Sequence, residues 1–386
     1  MRFGAVPLAE AEGAVLAHSA ALPDGKLGKG RVLNGADLAR LEAAGVAEVV
    51  VARLGPGDVP EDEAAARVAA ALAPDPGVQG LTVTAPFTGR VNLYAAGAGV
   101  LTVETARIDA LNALDEAVTV ATLADRTRVA ARQMLATVKI IPYAAPAAAV
   151  EAAEALAAGG GAPLLGVRPI VRRSADLILT RTPGMADKVI DKGAEAVRQR
   201  LAALGVAVAS ERVVLHETGA LAGALAAGRG AMTLVLTASA TSDRADTGPA
   251  AVVAAGGRIE RFGMPVDPGN LLFLGRIGAR PVIGLPGCAR SPKLNGADLV
   301  LERVAAGLDP TGGEIAGMGV GGLLMEIPAR PLPRAQQHAP AHRPRVGAVI
   351  LAAGGATRMR GRDKLLEPVG DQPLLARVAA EVTAAG

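Results

Sequence analysis

Aromatic residues and cysteine are scarce in this chain of 386 residues. Phe, Tyr and Trp make up 2% of it, and Trp is absent, so the sequence lacks the side chains on which single-stranded nucleic acids stack. The single cysteine, Cys288, excludes an intramolecular disulfide framework and a cysteine-rich zinc site. No histidine stands near Cys288 to activate its thiol, and we therefore expect it to be a small buried residue.

An excess of charge of either sign is also lacking. The 40 basic residues against 37 acidic ones give a net charge of +3, which argues against a general nucleic-acid binder. No stretch is long and apolar enough to span a bilayer. Glu10 and Glu12 interrupt the region where a secretion signal would have its apolar core. We expect a cytoplasmic protein that binds neither nucleic acid nor membranes, and an absence of disulfides suits that compartment.

The length and the 51% content of hydrophobic residues predict two or three domains with real cores. Residues 1–143 mix short helices and strands, which indicates an α+β region. Helices are predicted over Gly35–Ala44, capped by Asn34, and Glu61–Leu72, and strands over Ala47–Ala52 and Ala136–Pro142. Residues 144–163 are rich in Ala and Gly, and we interpret them as a linker that contains one helix.

A second domain is predicted over residues 164–327, where strands and helices alternate. The strands are Ala175–Thr180, Arg212–His216, Thr233–Thr237 and Pro281–Leu285; the helices are Met185–Leu204, Leu221–Ala227 and Pro249–Ala255. This order predicts a parallel sheet that binds its ligand at the carboxyl ends of the strands. His216 ends one strand, and we interpret it as a structural histidine, with a place in the lining of the pocket as the alternative. A proline-rich linker, 328–345, leads to residues 346–386, a partial third domain.

One candidate site is the hydroxyl-rich loop from Thr237 to Asp246. It follows a buried strand and leads into a helix begun by Pro249, so that backbone N–H groups and hydroxyls are available to an anion. Asp243 and Asp246 could hold a metal, accept hydrogen bonds from a ligand, or pair with Arg244. A capped surface loop is the simpler alternative.

Two further loops, Gly263–Asn270 and Ile283–Gly296, are dense in Gly and Pro with isolated polar groups. Such loops allow a ligand to approach the backbone closely. Because they lie near the ends of successive strands, we expect them to share one pocket with the first loop. The polar candidates in them are Asn270, Gly287, Arg290, Ser291, Lys293 and Asn295. No spacing typical of a metal site is evident in the sequence.

The third candidate is a strand that runs into a glycine-rich turn near the C-terminus. Its backbone N–H groups can wrap a triphosphate, and Arg358 and Lys364 can neutralise the charge. It is not a Walker A loop, because no Gly-Lys-Ser/Thr follows. The residues assigned to nucleotide binding are Leu351, Ala352, Ala353, Gly354, Gly355, Arg358 and Lys364.

Residues 164–326 resemble the molybdopterin-binding domain of the MoaB/Mog type. Thr237, Asp246 and Pro249 stand where that family's loop has its Thr, Asp and Pro, while Ala238 and Ser239 replace a glycine pair. The resemblance implies a three-layer α/β/α fold that binds molybdopterin. Together with the residue types of the three loops, it points to a molybdopterin site made of Thr237, Ser239, Asp243, Asp246, Asn270, Gly287, Arg290, Ser291, Lys293 and Asn295.

Residues 346–386 resemble the opening β-loop-α of the Rossmann-like, MobA-like nucleotidyltransferases of the molybdenum cofactor, especially the cytidylyltransferases. Gly354, Arg358 and Lys364 match that motif. In that family the pterin phosphate attacks the α-phosphate of CTP, with Mg²⁺ present and pyrophosphate leaving. Residues 1–143, with Gly89–Asn92 and Ala136–Pro142, resemble the N-terminal part of bacterial fusions of the two domains.

The resemblance implies a role in molybdenum cofactor biosynthesis and leaves three readings open. The chain transfers CMP, with Arg358 and Lys364 catalytic; or it is a non-catalytic molybdopterin carrier, because the transferase domain is incomplete; or the Mog-like fold processes nucleotides, as in competence-damage-type proteins. CTP and GTP are not distinguished. Molybdoenzymes or their chaperones are possible partners, and a homo-oligomer is possible.

Overall fold

The computed structural model describes residues 1–324 and 368–385. The chain divides into two compact units, 1–325 and 326–386. In the second unit the described elements are a small hairpin, Pro368–Val369 with Gln372–Pro373, and a helix, Leu374–Ala385. The predicted linker 328–345 and the glycine-rich turn after Leu351 lie outside the described residues. Within the described residues, none of the helices combines the length and apolarity needed to cross a bilayer.

The first 53 residues form a small α+β section. Strands Arg2–Pro7, Glu48–Arg53 and Val15–Leu16 make a sheet in that order, with a hairpin of Ala20–Leu22 and Gly25–Leu27 and a helix, Gly35–Ala43, beside it. The predicted cap of this helix is confirmed. The Asn34 side chain accepts from Asp37 N at 3.0 Å, and the Asp37 carboxylate accepts from Asn34 N at 3.3 Å.

Residues 58–169 build the next section from three sheets. Their strands are, in sheet order, Val118–Thr122, Met134–Ile140, Arg90–Ala95 and Leu81–Val83; then Arg128–Val129, Gly99–Val103 and Leu165–Pro169; then Ala144–Pro146 and Asp58–Pro60. The helices are Glu61–Leu72, Pro76–Gln79, Thr105–Asn112 and Ala147–Ala158. The helix Glu61–Leu72 matches its prediction at both ends, and the strand predicted over Ala136–Pro142 lies two residues earlier.

The alanine-rich stretch interpreted as a linker is instead part of this section's core. Its helix, Ala147–Ala158, buries Ala149, Val150 and Ala153 against the helix Glu61–Leu72. An ion pair of 2.6 Å between Arg67 and Glu154 joins the two helices. Small side chains let two helices pack closely, and a composition rich in alanine is therefore compatible with burial as well as with a linker.

A six-stranded sheet dominates residues 174–316. Its elements are β1 (Ser174–Arg181), α1 (Asp187–Ala203), β2 (Ala207–Leu215), α2 (Thr218–Ala226), β3 (Met232–Leu236), α3 (Thr247–Ala254), β4 (Arg258–Phe262), β5 (Phe273–Ile277), β6 (Arg280–Leu285), α4 (Gly296–Ala305) and α5 (Gly312–Ala316). The strand order is β2-β1-β3-β6-β5-β4. The first four strands are parallel, as predicted, and β5 and β4 add an antiparallel edge that was not predicted.

Helices cover both faces of this sheet. Apolar residues of α1 and α4, among them Val197 and Val300, pack on one face with Leu177 of β1. Residues of α2 and α3, among them Leu221, pack on the other face with Ile178. Because both faces are buried, β1 reads as an unbroken apolar run rather than an alternating one. The three-layer α/β/α fold predicted for this domain is confirmed.

Candidate functional site

The loops that carry the candidate residues leave the sheet at its carboxyl edge. β1 has β2 on one side and β3 on the other, and both neighbours run parallel to it. From β1 the chain first adds β2 on one side and then crosses over to add β3 on the other side. The order in which strands are added to the sheet therefore reverses between β1 and β3. In open α/β sheets such a reversal leaves a crevice beyond the strand ends, where ligands bind.

Thr180 links the ends of three strands at this crevice. Its Oγ1 accepts a hydrogen bond from Ala238 N, just beyond β3, at 2.7 Å. The same oxygen lies 2.9 Å from Nδ1 of His216, just beyond β2. With the hydroxyl donating to Nδ1, the neutral imidazole carries its proton on Nε2. This contact agrees with the structural role expected for His216 and places its ring beside the crevice. Thr180 itself was not predicted, since a Thr at the end of a buried strand gives no signal of its own.

The loop after β3 is shaped by its own polar side chains. Thr237 is 4% exposed, and its hydroxyl donates to Ser239 O at 2.7 Å. Asp243 accepts from Ala245 N at 2.7 Å. Asp246 caps α3, accepting from Thr247 N at 2.8 Å and from Ser242 N at 3.0 Å. Both carboxylates therefore stabilise the conformation of the loop, as expected for the simpler alternative of a capped surface loop. Each carboxylate also retains free lone pairs that can accept hydrogen bonds from a ligand.

The loop after β6 meets the loop after β3 directly. Residues Gly287–Arg290 form a 3₁₀ turn, and Nη2 of Arg290 donates to the carbonyl of Thr237 at 2.6 Å. Burial lowers the pKa of this guanidinium from its usual value, and the group stays charged at neutral pH. Two of the predicted site residues are thus in contact although they stand 53 positions apart.

The prediction that Cys288 is buried was wrong. Its side chain is exposed on the 3₁₀ turn, because the turn presents successive residues to different sides. Partial desolvation by the surrounding loop, with repulsion from the carboxylates of Asp267 and Asp298, raises the pKa of the thiol. A raised pKa disfavours the thiolate, and the residue is poorly suited to act as a nucleophile.

Arg200 holds the loop after β6 from behind, a role that was not predicted. It lies on α1 and is 9% exposed. Its guanidinium donates to the carbonyls of Ala289 at 2.8 Å, Ser291 at 2.7 Å and Lys293 at 3.0 Å. Its Nε pairs with Asp298 of α4 at 2.7 Å. The signal in the sequence that could have indicated this role is an arginine among the apolar positions of α1, because buried arginines are rare unless they are paired.

Asn295 is engaged in the protein rather than open to a ligand. It is 1% exposed, and its Oδ1 accepts from Ala297 N at 2.9 Å to cap α4. Its own N–H donates to Asp298 at 2.8 Å. Its side chain therefore has a structural role, and its expected role as a ligand contact stays a prediction. Gly296 N donates to Pro268 O at 2.8 Å, which ties the loop that ends at Asn270 to the same helix start.

The remaining predicted residues lie on the outer side of these loops. Ser239, Asp243, Asn270, Gly287 and Lys293 are exposed, and Ser291 is half-buried. Nothing in residues 1–324 or 368–385 groups three or more His, Cys, Asp or Glu side chains in a position to hold a metal ion. The residues assigned to the nucleotide, namely Leu351, Ala352, Ala353, Gly354, Gly355, Arg358 and Lys364, lie outside the described residues.

Two family models match parts of the chain. Residues 348–386 match the MobA-like NTP transferase domain, which confirms the resemblance stated for the C-terminal segment. Residues 5–53 match a family described as a domain of unknown function, DUF8806. Neither match reaches half of the chain, and no curated protein matches it.

Several solved structures are similar to the chain at low sequence identity. A molybdopterin biosynthesis MoeA protein from Pyrococcus horikosii is 14% identical, with 80% of this chain and 76% of that one covered and a TM-score of 0.27. A molybdenum cofactor biosynthesis protein B is 15% identical over 39% of this chain and 98% of its own, with a TM-score of 0.26. A molybdopterin biosynthesis protein from Mycobacterium abscessus is 14% identical over 35% and 93%, with a TM-score of 0.23.

Proposed function

We propose that this chain acts in molybdenum cofactor biosynthesis, with molybdopterin bound at the carboxyl edge of the six-stranded sheet. The observation that carries the proposal is the 2.6 Å hydrogen bond from Arg290 to the carbonyl of Thr237. It joins the loops after β3 and β6 at the crevice between β1 and β3. Charged and hydroxyl groups of both loops then face one edge of the sheet, as a polar ligand in such a crevice requires.

The exposed groups at this edge complement a phosphorylated pterin. The Lys293 ammonium and the hydroxyls of Ser239 and Ser291 offer donors to the phosphate. Asp243 and Asp246 keep lone pairs for N–H donors on the ring. Arg290 adds positive charge but is already engaged by Thr237, so we assign it chiefly to holding the two loops together.

We further propose that residues 346–386 belong to a unit that transfers CMP from CTP to the pterin phosphate. A pterin phosphate oxygen would form a bond to the α-phosphorus of CTP, while the bond from that phosphorus to the bridging oxygen breaks and pyrophosphate leaves. Arg358 and Lys364 would neutralise the charge on the phosphates. The family match over residues 348–386 supports this part. Mg²⁺ would accompany CTP, and no described residue is assigned to it.

A carrier without catalytic activity is the second candidate. The loops proposed to hold the pterin are supplied by residues 180–295, which the structure places in one unit. Binding by this unit requires no residue of the transferase segment. A carrier would bind molybdopterin and release it unchanged.

Isothermal titration of the chain with molybdopterin, followed by CTP and Mg²⁺, tests these proposals. Lys293→Ala removes a charge-assisted contact and is expected to weaken pterin binding about tenfold or more. Arg229→Ala is the matched control, because Arg229 is exposed and precedes β3, on the opposite edge of the sheet. Asp246→Ala is also expected to weaken binding, but it removes the cap of α3 and costs about 1 kcal/mol of stability.

The outcomes separate the readings. Pterin binding with formation of a CMP-linked product and pyrophosphate supports the transferase, and pterin binding without turnover supports the carrier. Equal affinity of Lys293→Ala and Arg229→Ala would remove Lys293 from the site. Absence of pterin binding by the folded wild-type chain would overturn the proposal for this sheet edge.

A further inference from the structure

Two motifs that the pterin site does not use meet at one end of the four-stranded sheet. The segments Gly89–Asn92 and Ala136–Pro142 contribute to adjacent antiparallel strands, with Arg90 opposite Lys139. Before Arg90 the chain makes a two-residue turn, in which Phe87 and Arg90 exchange backbone hydrogen bonds of 3.0 and 3.1 Å. Thr88 and Gly89 both have positive φ, at 49° and 67°. A left-handed β-branched residue is a steric outlier, and such outliers cluster at binding sites.

Charged side chains fasten this turn. Nζ of Lys139 donates to Thr88 O at 2.6 Å, and the Asp62 carboxylate accepts from Gly89 N at 2.6 Å. A Cβ on residue 89 would lie 2.6 Å from Oε2 of Glu61 and 3.0 Å from Nζ of Lys139. Only glycine therefore permits this close approach of the carboxylate and the ammonium to the turn.

The turn forms one wall of a cavity of about 270 Å³, whose polar lining is Lys29, Glu61, Thr88, Lys139 and Tyr143. Lys29 belongs to the first 53 residues and the others to the next section. The Tyr143 hydroxyl donates to Ala17 O at 2.8 Å across the same junction. Junctions between folded sections are frequent locations of ligand sites.

The charges in this cavity suit an anion that still carries a proton. Lys139 has three N–H donors and gives one to Thr88, and its Nζ is 3.6 Å from Oε2 of Glu61. Lys29 forms no ion pair with any residue in the described part of the chain. With two ammonium groups and one carboxylate the lining carries one net positive charge. Burial raises the pKa of Glu61, which makes its carboxylate a stronger acceptor for an O–H donor.

We infer that this cavity binds a hydrogen phosphate group, with Lys29 and Lys139 against its charged oxygens and Glu61 accepting its O–H. Sulfate has the same shape but no proton near neutral pH, so it would face Glu61 with an unprotonated oxygen. The structure thus points to a site that distinguishes phosphate from sulfate. This site uses residues 29–143 and not the loops of residues 180–295, so its failure and the failure of the pterin proposal are separate results.

Isothermal titration of the full chain with inorganic phosphate and with sulfate, near neutral pH, tests the inference. We expect phosphate to bind at least about tenfold more tightly than sulfate, the value of one charge-assisted hydrogen bond. Lys29→Met should weaken phosphate binding about tenfold or more by the same reasoning. Lys26→Met is the matched control, because Lys26 is exposed on the strand Gly25–Leu27, which ends two residues before Lys29, and does not line the cavity. Both substitutions are at exposed positions, and circular dichroism verifies the fold.

The Glu61→Gln variant is the decisive test of selectivity, because its side-chain amide can donate a hydrogen bond to sulfate as readily as to phosphate. The variant is expected to bind the two anions with similar affinity. Methyl phosphate shows whether the bound phosphate belongs to a small molecule or is the free ion, and it is titrated at a pH below its second pKa of about 6. Tighter binding than that of inorganic phosphate indicates a phosphorylated small molecule, and weaker binding indicates the free ion. The inference is overturned if the wild-type chain binds no phosphate, if it binds sulfate equally well, or if Lys29→Met behaves like Lys26→Met.

Discussion

Replacing Arg200 by methionine removes the guanidinium that holds residues 289–293 from behind. The side chain is 8% exposed and that of its partner Asp298 is 14% exposed. Loss of one member of a buried ion pair costs about 3–5 kcal/mol. Asp298 keeps its hydrogen bond from Asn295 N. Of the three loop carbonyls that lose a donor, that of Ala289 is in a buried hydrogen bond, and those of Ser291 and Lys293 are in part-buried ones. We therefore expect the lower end of the range, about 3 kcal/mol.

Hydrogen exchange followed by mass spectrometry locates this loss. About 3 kcal/mol of local stability corresponds to roughly 100-fold faster exchange, expected for amides of residues 286–295. Urea unfolding followed by circular dichroism gives the global value. Arg198→Met is the matched control: Arg198 lies on the same helix, and its ion pairs with Glu195 and Glu211 are at the surface, where a pair contributes about 0–1 kcal/mol. If Arg200→Met and Arg198→Met exchange alike in this loop, the reasoning is refuted.

Three further predictions concern groups that are buried or half-buried. Burial raises the pKa of Glu302 to about 7 from 4.5. The folded state therefore binds its proton more tightly, and the stability contributed by the protonated group is lost as pH rises from about 4.5 to about 7. Glu302→Gln should remove this decline and add about 2–3 kcal/mol above pH 7 in urea unfolding, and an unchanged pH slope would contradict it. Burial alone would raise the pKa of Asp309, but hydrogen bonds from Arg172 and Arg276 outweigh it and lower the pKa below 3.8. The stability that this carboxylate contributes is thus present above its unfolded pKa and is lost as pH falls through its folded pKa. Asp309→Asn should therefore make the free energy of unfolding depend less on pH in the acid range, and the same acid dependence as in the wild-type chain would refute this. Thr180→Val leaves Ala238 N without its acceptor and should cost about 1–3 kcal/mol, whereas Thr180→Ser should retain the bond, and equal stability of the two variants would argue against it.

Elements with strong local signals were predictable from the sequence. The helix Glu61–Leu72 begins with three acidic residues after Pro60 and ends where its apolar periodicity stops. The cores of β1, β3 and β6 were recognised as compact apolar runs. β2 was found only in its second half, because it lies at the sheet edge and its first half contains the polar residues Ser210 and Glu211.

The site was predictable as a set of loops but not as a set of contacts. Thr237 and Arg290 were named from their residue types, and the parallel order of strands was enough to place their loops together. The contacts of Arg200 with Asp298 and with the loop after β6 were not predicted, because these partners are 89 to 98 positions away in the sequence. The helix cap made by Asn295 was not predicted, because a polar residue beside a glycine serves a helix cap as readily as a ligand and the sequence alone does not show whether its side chain is buried.

The short strand Leu165–Pro169 determines where the polypeptide can be divided. It pairs with Gly99–Val103, whose other neighbour is Arg128–Val129. A chain cut at the alanine- and glycine-rich stretch would leave Gly99–Val103 as an open edge of apolar residues with unpaired N–H and C=O groups. Such an edge is a template for pairing with a second molecule and hence for aggregation. The smallest N-terminal fragment that contains all three strands of this sheet therefore extends through Pro169.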